Sequence, residues 1–145
     1  METTAISINS AVSEIMTRDV FTIEMEGPLS EAQKSMTDHH LRHLPVVKDR
    51  KLVGILSLTD IQRLSFSNTF GEGELDADDA IYGMLNIAQV MRRHPNTVQM
   101  TQSIREVAVI LTEEEYHALP VMSGEDLVGI ITTTDIIKHL LKNPK

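Results

Sequence analysis

The chain has 145 residues and no cysteine, which excludes disulfides, thiolate catalysis and cysteine-ligated metal sites together. Thirteen Lys and Arg stand against 21 Asp and Glu, a net charge of −8 that opposes non-specific binding to a phosphate backbone. Aromatics are only 3% with no Trp, so base-stacking platforms are scarce and the core must be built from Ile, Leu, Val and Met. The opening residues 1–8 lack a basic n-region, and the longest apolar runs, such as 127–131, fall far below the roughly 18 residues of a membrane helix. The expectation is a soluble, cytoplasmic protein that touches neither nucleic acid nor membrane.

The chain resembles itself. A shift of 75 residues lays Leu44-Pro45-Val46 on Leu119-Pro120-Val121, Leu52-Val53-Gly54-Ile55 on Leu127-Val128-Gly129-Ile130, and Thr59-Asp60-Ile61 on Thr134-Asp135-Ile136. Between residues 12 and 64 no insertion is needed, and about 16 of 53 positions are identical. A unit of this size leaves an apolar face exposed, and two such units can cover each other.

Each copy predicts the same elements in order. First comes a short amphipathic helix carrying Val12, Ile15 and Met16, or Ile87, Val90 and Met91. A short extended piece follows, 20–23 or 97–100. A longer helix then buries Leu29, Ala32 and Met36, or Ile104, Val107 and Leu111, at i, i+3, i+7. Pro28 suits the first turn of one, and Ser103-x-x-Glu106 is a capping box for the other. Two β-rich runs come next, 44–48 and 52–58, then 119–122 and 127–132, each pair joined by turn residues. A last helix starts at Thr59 or Thr134, with that hydroxyl expected as its cap. The fold class is α+β: two β-α-β-β-α repeats packed through their sheets with pseudo-two-fold symmetry. The division is 1–66 for the first repeat, 67–85 for an acidic linker leading into the next helix, and 86–145 for the second repeat. Gly71, Gly73 and five acids mark the linker as a connector, and it does not match a calcium loop.

The motifs Met-Thr-x-x-Val-x-Thr at 16–22, Arg-His-Leu-Pro-Val-Val at 42–47 and Leu-Val-Gly-Ile-x-Ser-x-Thr-Asp-Ile at 52–61 resemble a CBS domain. The second copy, ending Leu127-Val-Gly-Ile-Ile-Thr-Thr-Thr-Asp-Ile136, resembles its tandem partner. The resemblance implies a CBS pair with clefts between its repeats, dimerising into a disc and regulating through an adenosine ligand: AMP, ADP, ATP or S-adenosylmethionine. It implies that Ser57-x-x-Asp60 and Thr132-x-x-Asp135 contact ribose and phosphate. Ionised Asp suits a vicinal diol, and the following helix N-terminus favours an anion.

Arg42 and His43 before one Leu-Pro, and His117 and Ala118 before the other, are the phosphate candidates. Arg grips phosphate bidentately and Ala carries no charge, so the first group suits a polyphosphate and the second a less charged ligand. Val20-Phe21-Thr22 and Pro95-Asn96-Thr97, with Ile55 and Ile130, are the candidate adenine slots. Each position also has a plain structural role, as cap, helix-dipole partner or core.

Asp38-His39-His40-x-x-His43 carries an i, i+4 histidine pair, but the second copy has Glu114 and Glu115 there, so no metal is expected. Glu113–Glu115 read as a solvated helix face, and Arg92-Arg93-His94 as too short a basic patch for duplex binding. Nucleophile–base spacings and a Gly-x-x-x-x-Gly-Lys loop are absent from the sequence, so the chain is expected not to be an enzyme and to need no catalytic cofactor. The expectation is a regulatory module, a homodimer with a protein partner left open. The alternative is a ligand-free module that only dimerises or docks.

Overall fold

A computed structural model describes residues 6–67, 84–114 and 117–142. It is mixed α+β, with two sheets. The chain divides into two compact units, one of Phe21–Pro95 and one of Met1–Val20 with Asn96–Lys145. These are not the sequence repeats. Each unit takes the leading segment of the other repeat.

In the Phe21–Pro95 unit, β1 (Ile23–Glu24) runs parallel to β2 (His43–Lys48), which pairs antiparallel with β3 (Lys51–Ser57). Asp49 and Arg50 between them have φ of 52° and 68°, left-handed backbone that makes a tight two-residue reversal. Helix α1 (Leu29–His39) precedes β2 and α2 (Leu58–Ser67) follows β3; α3 (Ile87–Val90) and β4 (Arg92–Arg93) complete the unit. The sheet order is β1-β2-β3-β4, with Ile55 opposite Arg92 and Gly54 opposite Arg93. Leu29, Leu44, Val46, Leu56 and Ile87 are fully buried in its core. Burying a side chain of this size contributes about 1.5–3 kcal/mol.

The other unit repeats this plan. A 3-10 turn, Val12–Glu14, leads; β5 (Val98–Gln99), α4 (Ile104–Glu113), β6 (Ala118–Ser123), β7 (Asp126–Thr132) and α5 (Thr133–Lys142) follow. β5 is parallel to β6 and β6 antiparallel to β7, and Thr17 bridges Ile130 where β4 pairs in the first unit. Val12, Val98, Val107, Leu119, Val121 and Ile131 form the core. Both sheets carry a register shift at the same place, Val46/Val47 and Val121/Met122.

Several expectations are sharpened. The leading helices are single turns, and they differ because Asn86 and Gln89 form a reciprocal capping box while Ala11 offers no side-chain cap. The extended pieces form strand only over Ile23–Glu24 and Val98–Gln99. Ser103 and Glu106 cap α4 as expected, and Pro28 stands at the N-cap of α1 in extended conformation. The final helices start one residue before Thr59 and Thr134, and these hydroxyls are not the caps. Asp60 N–H donates to Ser57 Oγ at 3.1 Å and Asp135 N–H to Thr132 Oγ1 at 3.1 Å, so the strand-ending hydroxyls cap instead. Most of the expected 67–85 linker, at 68–83, lies outside the described residues, as does Glu115.

Two glycines hold this plan together. A Cβ at Gly54 would lie 2.7 Å from Met91 Sδ and 2.8 Å from the Arg92 carbonyl oxygen. At Gly129 it would lie 2.6 Å from Met16 Sδ and 2.9 Å from the Thr17 carbonyl oxygen. The methionine can swing aside, but the backbone oxygen cannot move without lifting the strand. Gly54→Ala and Gly129→Ala are each expected to lower unfolding free energy by about 1–3 kcal/mol. Gly124→Ala, with open space but φ of 63°, is expected to cost about 1 kcal/mol or less. Urea unfolding of the three variants checks the order; equal losses at all three positions would refute the steric argument.

Candidate functional site

The end of β3 gathers polar groups because the hairpin register places His43 opposite Ser57. Leu58 N–H donates to the Arg42 carbonyl at 2.8 Å, which ties the residue before β2 to the first turn of α2. Ser57 caps that turn, and the Asp60 side chain, only 11% exposed, stands beside it. Ile55 lies two residues earlier and shares the face of Ser57.

Asp60 is not alone. Arg92 Nε and Nη2 approach its two carboxylate oxygens at 3.4 Å each, and Arg63 Nη1 lies 3.8 Å away. The guanidinium thus faces the carboxylate with two prongs, at the long end of hydrogen-bond distance. Arg92 is 56% exposed on its side chain and Arg63 69%, so each pair is worth about 1 kcal/mol or less.

The second unit builds the same corner with other groups. Ala118 stands opposite Thr132, and Thr133 N–H donates to the His117 carbonyl at 3.0 Å. Thr132 and Asp135 cap reciprocally: Asp135 N–H donates to Thr132 Oγ1 at 3.1 Å, and Thr132 N–H donates to Asp135 Oδ2 at 3.0 Å. Thr17 Oγ1 donates weakly to both Asp135 oxygens, at 3.5 Å. Thr17 and Arg92 are equivalent under the 75-residue shift, so equivalent positions meet equivalent aspartates with a hydroxyl in one unit and a guanidinium in the other.

The remaining candidates are placed as follows. Arg42, His117, Asn96 and Thr97 are exposed, His43, Val20 and Pro95 are half-buried, and Ala118 and Ile130 are buried. Phe21 stacks on His39, with ring centroids 3.9 Å apart and planes at 15°. Thr22 lines an open groove of about 400 Å³ beside α1, together with Glu24, Glu31, Lys34, Ser35 and Asp38; Ser57 and Asp60 are not among its lining residues. Lys34 Nζ donates to Asp38 at 2.7 Å, holding that carboxyl below the usual carboxylate range. With His39 stacked and Asp38 paired, the Asp38–His43 histidine motif does not converge, and among the described residues no group of three or more His, Cys, Asp or Glu could hold a metal ion. Among them too, no helix is long and apolar enough to cross a membrane. Sequence reasoning missed Arg92, Arg63 and Thr17. The signal was available in part, because the basic run at 92–94 and Thr17 occupy matched repeat positions.

The corner has a stability role that binding tests must separate. Thr132→Ala and Ser57→Ala each remove a helix cap and are expected to cost about 1 kcal/mol, read by urea unfolding. A loss near zero for both would mean these hydroxyls do not hold the helix starts.

The CBS domain family model matches residues 12–67 and 87–142. The MJ1404 protein of Methanocaldococcus jannaschii is 29% identical over 91% of this chain and 32% of its own length. Inosine-5'-monophosphate dehydrogenase of Korarchaeum cryptofilum is 31% identical over 82% of this chain and 22% of the enzyme. The chain therefore spans a third or less of these two relatives. Among solved structures, the CBS domain pair of protein MJ0100, in complex with 5'-methylthioadenosine and S-adenosyl-L-methionine, superposes with a TM-score of 0.76 at 25% identity, covering 94% of this chain and 98% of that one. Two family matches, two sheets of one plan and two Ser/Thr-x-x-Asp corners agree: the chain belongs to the CBS domain family, as a tandem pair.

Proposed function

We propose that this CBS pair is a regulatory module that senses an adenosine-containing ligand, with one site built on Ser57 and Asp60 and another on Thr132 and Asp135. The observation that carries this is the doubled corner itself. In both units a shielded carboxylate and a capping hydroxyl stand at a strand end over a helix N-terminus, the set of groups a ribose and a phosphate require. The MJ0100 pair in complex with two adenosine compounds supports the ligand class. AMP, ADP, ATP and S-adenosylmethionine are the candidates. The match to about a fifth of a dehydrogenase supports a regulatory part rather than a catalytic one.

The module acts in the cytoplasm as a homodimer that conveys its state to a protein partner. Val109 on α4 and Ile137, Leu140 and Leu141 on α5 are 46–77% exposed, an apolar face that suits a second copy. The same face favours one rival, a module that only dimerises or docks with its nucleotide corners empty. The Arg92–Asp60 pair also favours that rival, since it satisfies the carboxylate without a ligand.

Thermal unfolding with AMP, ATP and S-adenosylmethionine separates the two. A ligand at 100 times its dissociation constant adds about 2.7 kcal/mol, several degrees in Tm. Asp60→Ala and Asp135→Ala are each expected to weaken binding at their own site by about tenfold or more in calorimetry, the loss of hydrogen bonds to a charged group. No Tm shift with any compound, in a chain that is dimeric by light scattering, would establish the rival.

A further inference from the structure

The two corners share one backbone plan but differ in charge. Around Asp60 the chain places Arg63 in the next helical turn, Arg92 on β4 and Arg42 before β2. The positions equivalent under the 75-residue shift around Asp135 are Lys138, Thr17 and His117. Arg92 and Arg63 lie 3.4 and 3.8 Å from the Asp60 carboxylate, so two cations face one carboxylate and give the first corner a formal +1, whereas at Asp135 the hydroxyl of Thr17 stands where Arg92 stands. A +1 corner on a chain of net charge −8 is a local inversion of sign.

We infer that Arg92 sets ligand charge at the Asp60 site, acting as a counter-ion that a phosphate must replace; this rests on the adenosine-ligand reading above. The guanidinium approaches both carboxylate oxygens, so a vicinal diol at Asp60 competes with Arg92 for them. The pair is long and half-exposed, so release costs little in itself. The decisive matter is where the freed guanidinium goes. A ligand with a phosphate offers it a dianionic, bidentate partner, and the exchange restores what was broken. A neutral nucleoside offers none and leaves the guanidinium without an anionic partner, and one with a cationic sulfonium adds a further positive charge as well. Thr17 at the other corner imposes no such exchange: a hydroxyl 3.5 Å from the carboxylate can turn toward solvent or ligand with its charge unchanged. The Asp60 site therefore selects phosphate-bearing adenosine ligands, and the Asp135 site accepts uncharged or cationic ones.

The test uses the full chain with Asp135→Ala to leave one corner, titrated calorimetrically with AMP and with adenosine at fixed ionic strength. AMP is expected to bind more tightly than adenosine. Arg92→Thr, which installs the residue of the matching position, is expected to weaken AMP about tenfold and leave adenosine equal or slightly tighter, so the preference collapses. Arg92→Gln, which keeps the length and loses the charge, is expected to do the same, and melting curves check that both variants fold. An unchanged AMP-to-adenosine ratio in folded variants overturns the inference and leaves the ligand reading standing. AMP binding to the wild-type chain but not to Asp135→Ala overturns it as well, by removing Asp60 from the binding corner. No binding of either compound by the wild-type chain ends the ligand reading, and this inference with it.

Discussion

The arrangement depends on a steric permission at two glycines. Gly54 and Gly129 let a backbone segment pair beside a strand so closely that any side chain would meet a carbonyl oxygen. These segments are 91–93 beside β3 and 16–17 beside β7, and each pairs antiparallel with that strand. In the second unit that pairing is reciprocal: Thr17 N–H donates to the Ile130 carbonyl at 2.9 Å, and Ile130 N–H donates back at 3.0 Å. Removing the permission would cost the cores Met91 and Met16, both nearly buried, along with the bonds. It would also withdraw Arg92 and Thr17 from the aspartates. Fold and site thus rest on the same close approach.

That approach explains why two nearly identical hairpins end in different chemistry. Hairpin register, bulge position and the capping hydroxyl are common to both units, so the carboxylate is presented in the same way. What varies arrives from the adjoining segment and from the turn after the aspartate, where the chain has freedom because those side chains are exposed. Asp135 spends one oxygen on its own cap, closing a reciprocal box. For Asp60 only the hydroxyl half of that box is formed, and its oxygens face arginines instead. Local capping and long-range charge compete for the same two atoms, and each unit resolves the competition differently.

Much of this was legible in the sequence, and the limits have physical causes. The repeat placed the hairpins, the buried faces of α1 and α4 and the Ser103 capping box, because those depend on neighbours a few positions away. Which sheet a leading segment joins depends on no local preference. Val12 and Met16 look equally apolar whichever core receives them, so the exchange between repeats was invisible, and with it the partners of Asp60 and Asp135. The helix starts were misplaced for a subtler reason. Thr59 and Ser57 can both cap, and only the point where strand pairing with His43 ends decides between them. The Asp38-His39-His40 run, from which no metal was expected, has partners that its spacing does not reveal: Lys34 one turn earlier holds Asp38, and Phe21 stacks on His39.

The exchange also bears on how a bound ligand would act. Asp60 belongs to the first sequence repeat and Arg92 to the second, yet both sit in one compact unit. A ligand that engages both recognises only the arrangement in which the 91–93 segment is paired beside Gly54. By linkage its binding free energy then adds to the stability of that pairing, up to its preference for the paired over the unpaired state. The segment is short and half of its anchoring is a two-residue strand, so this is a place where a modest ligand contribution is large relative to what already holds. Movement there is passed along a continuous backbone to α3 and, through the bridge from Asn86 to Pro28, to the start of α1. A small anion at one corner is in this way connected, by covalent and hydrogen-bonded steps rather than by diffuse influence, to the elements that frame the rest of the unit.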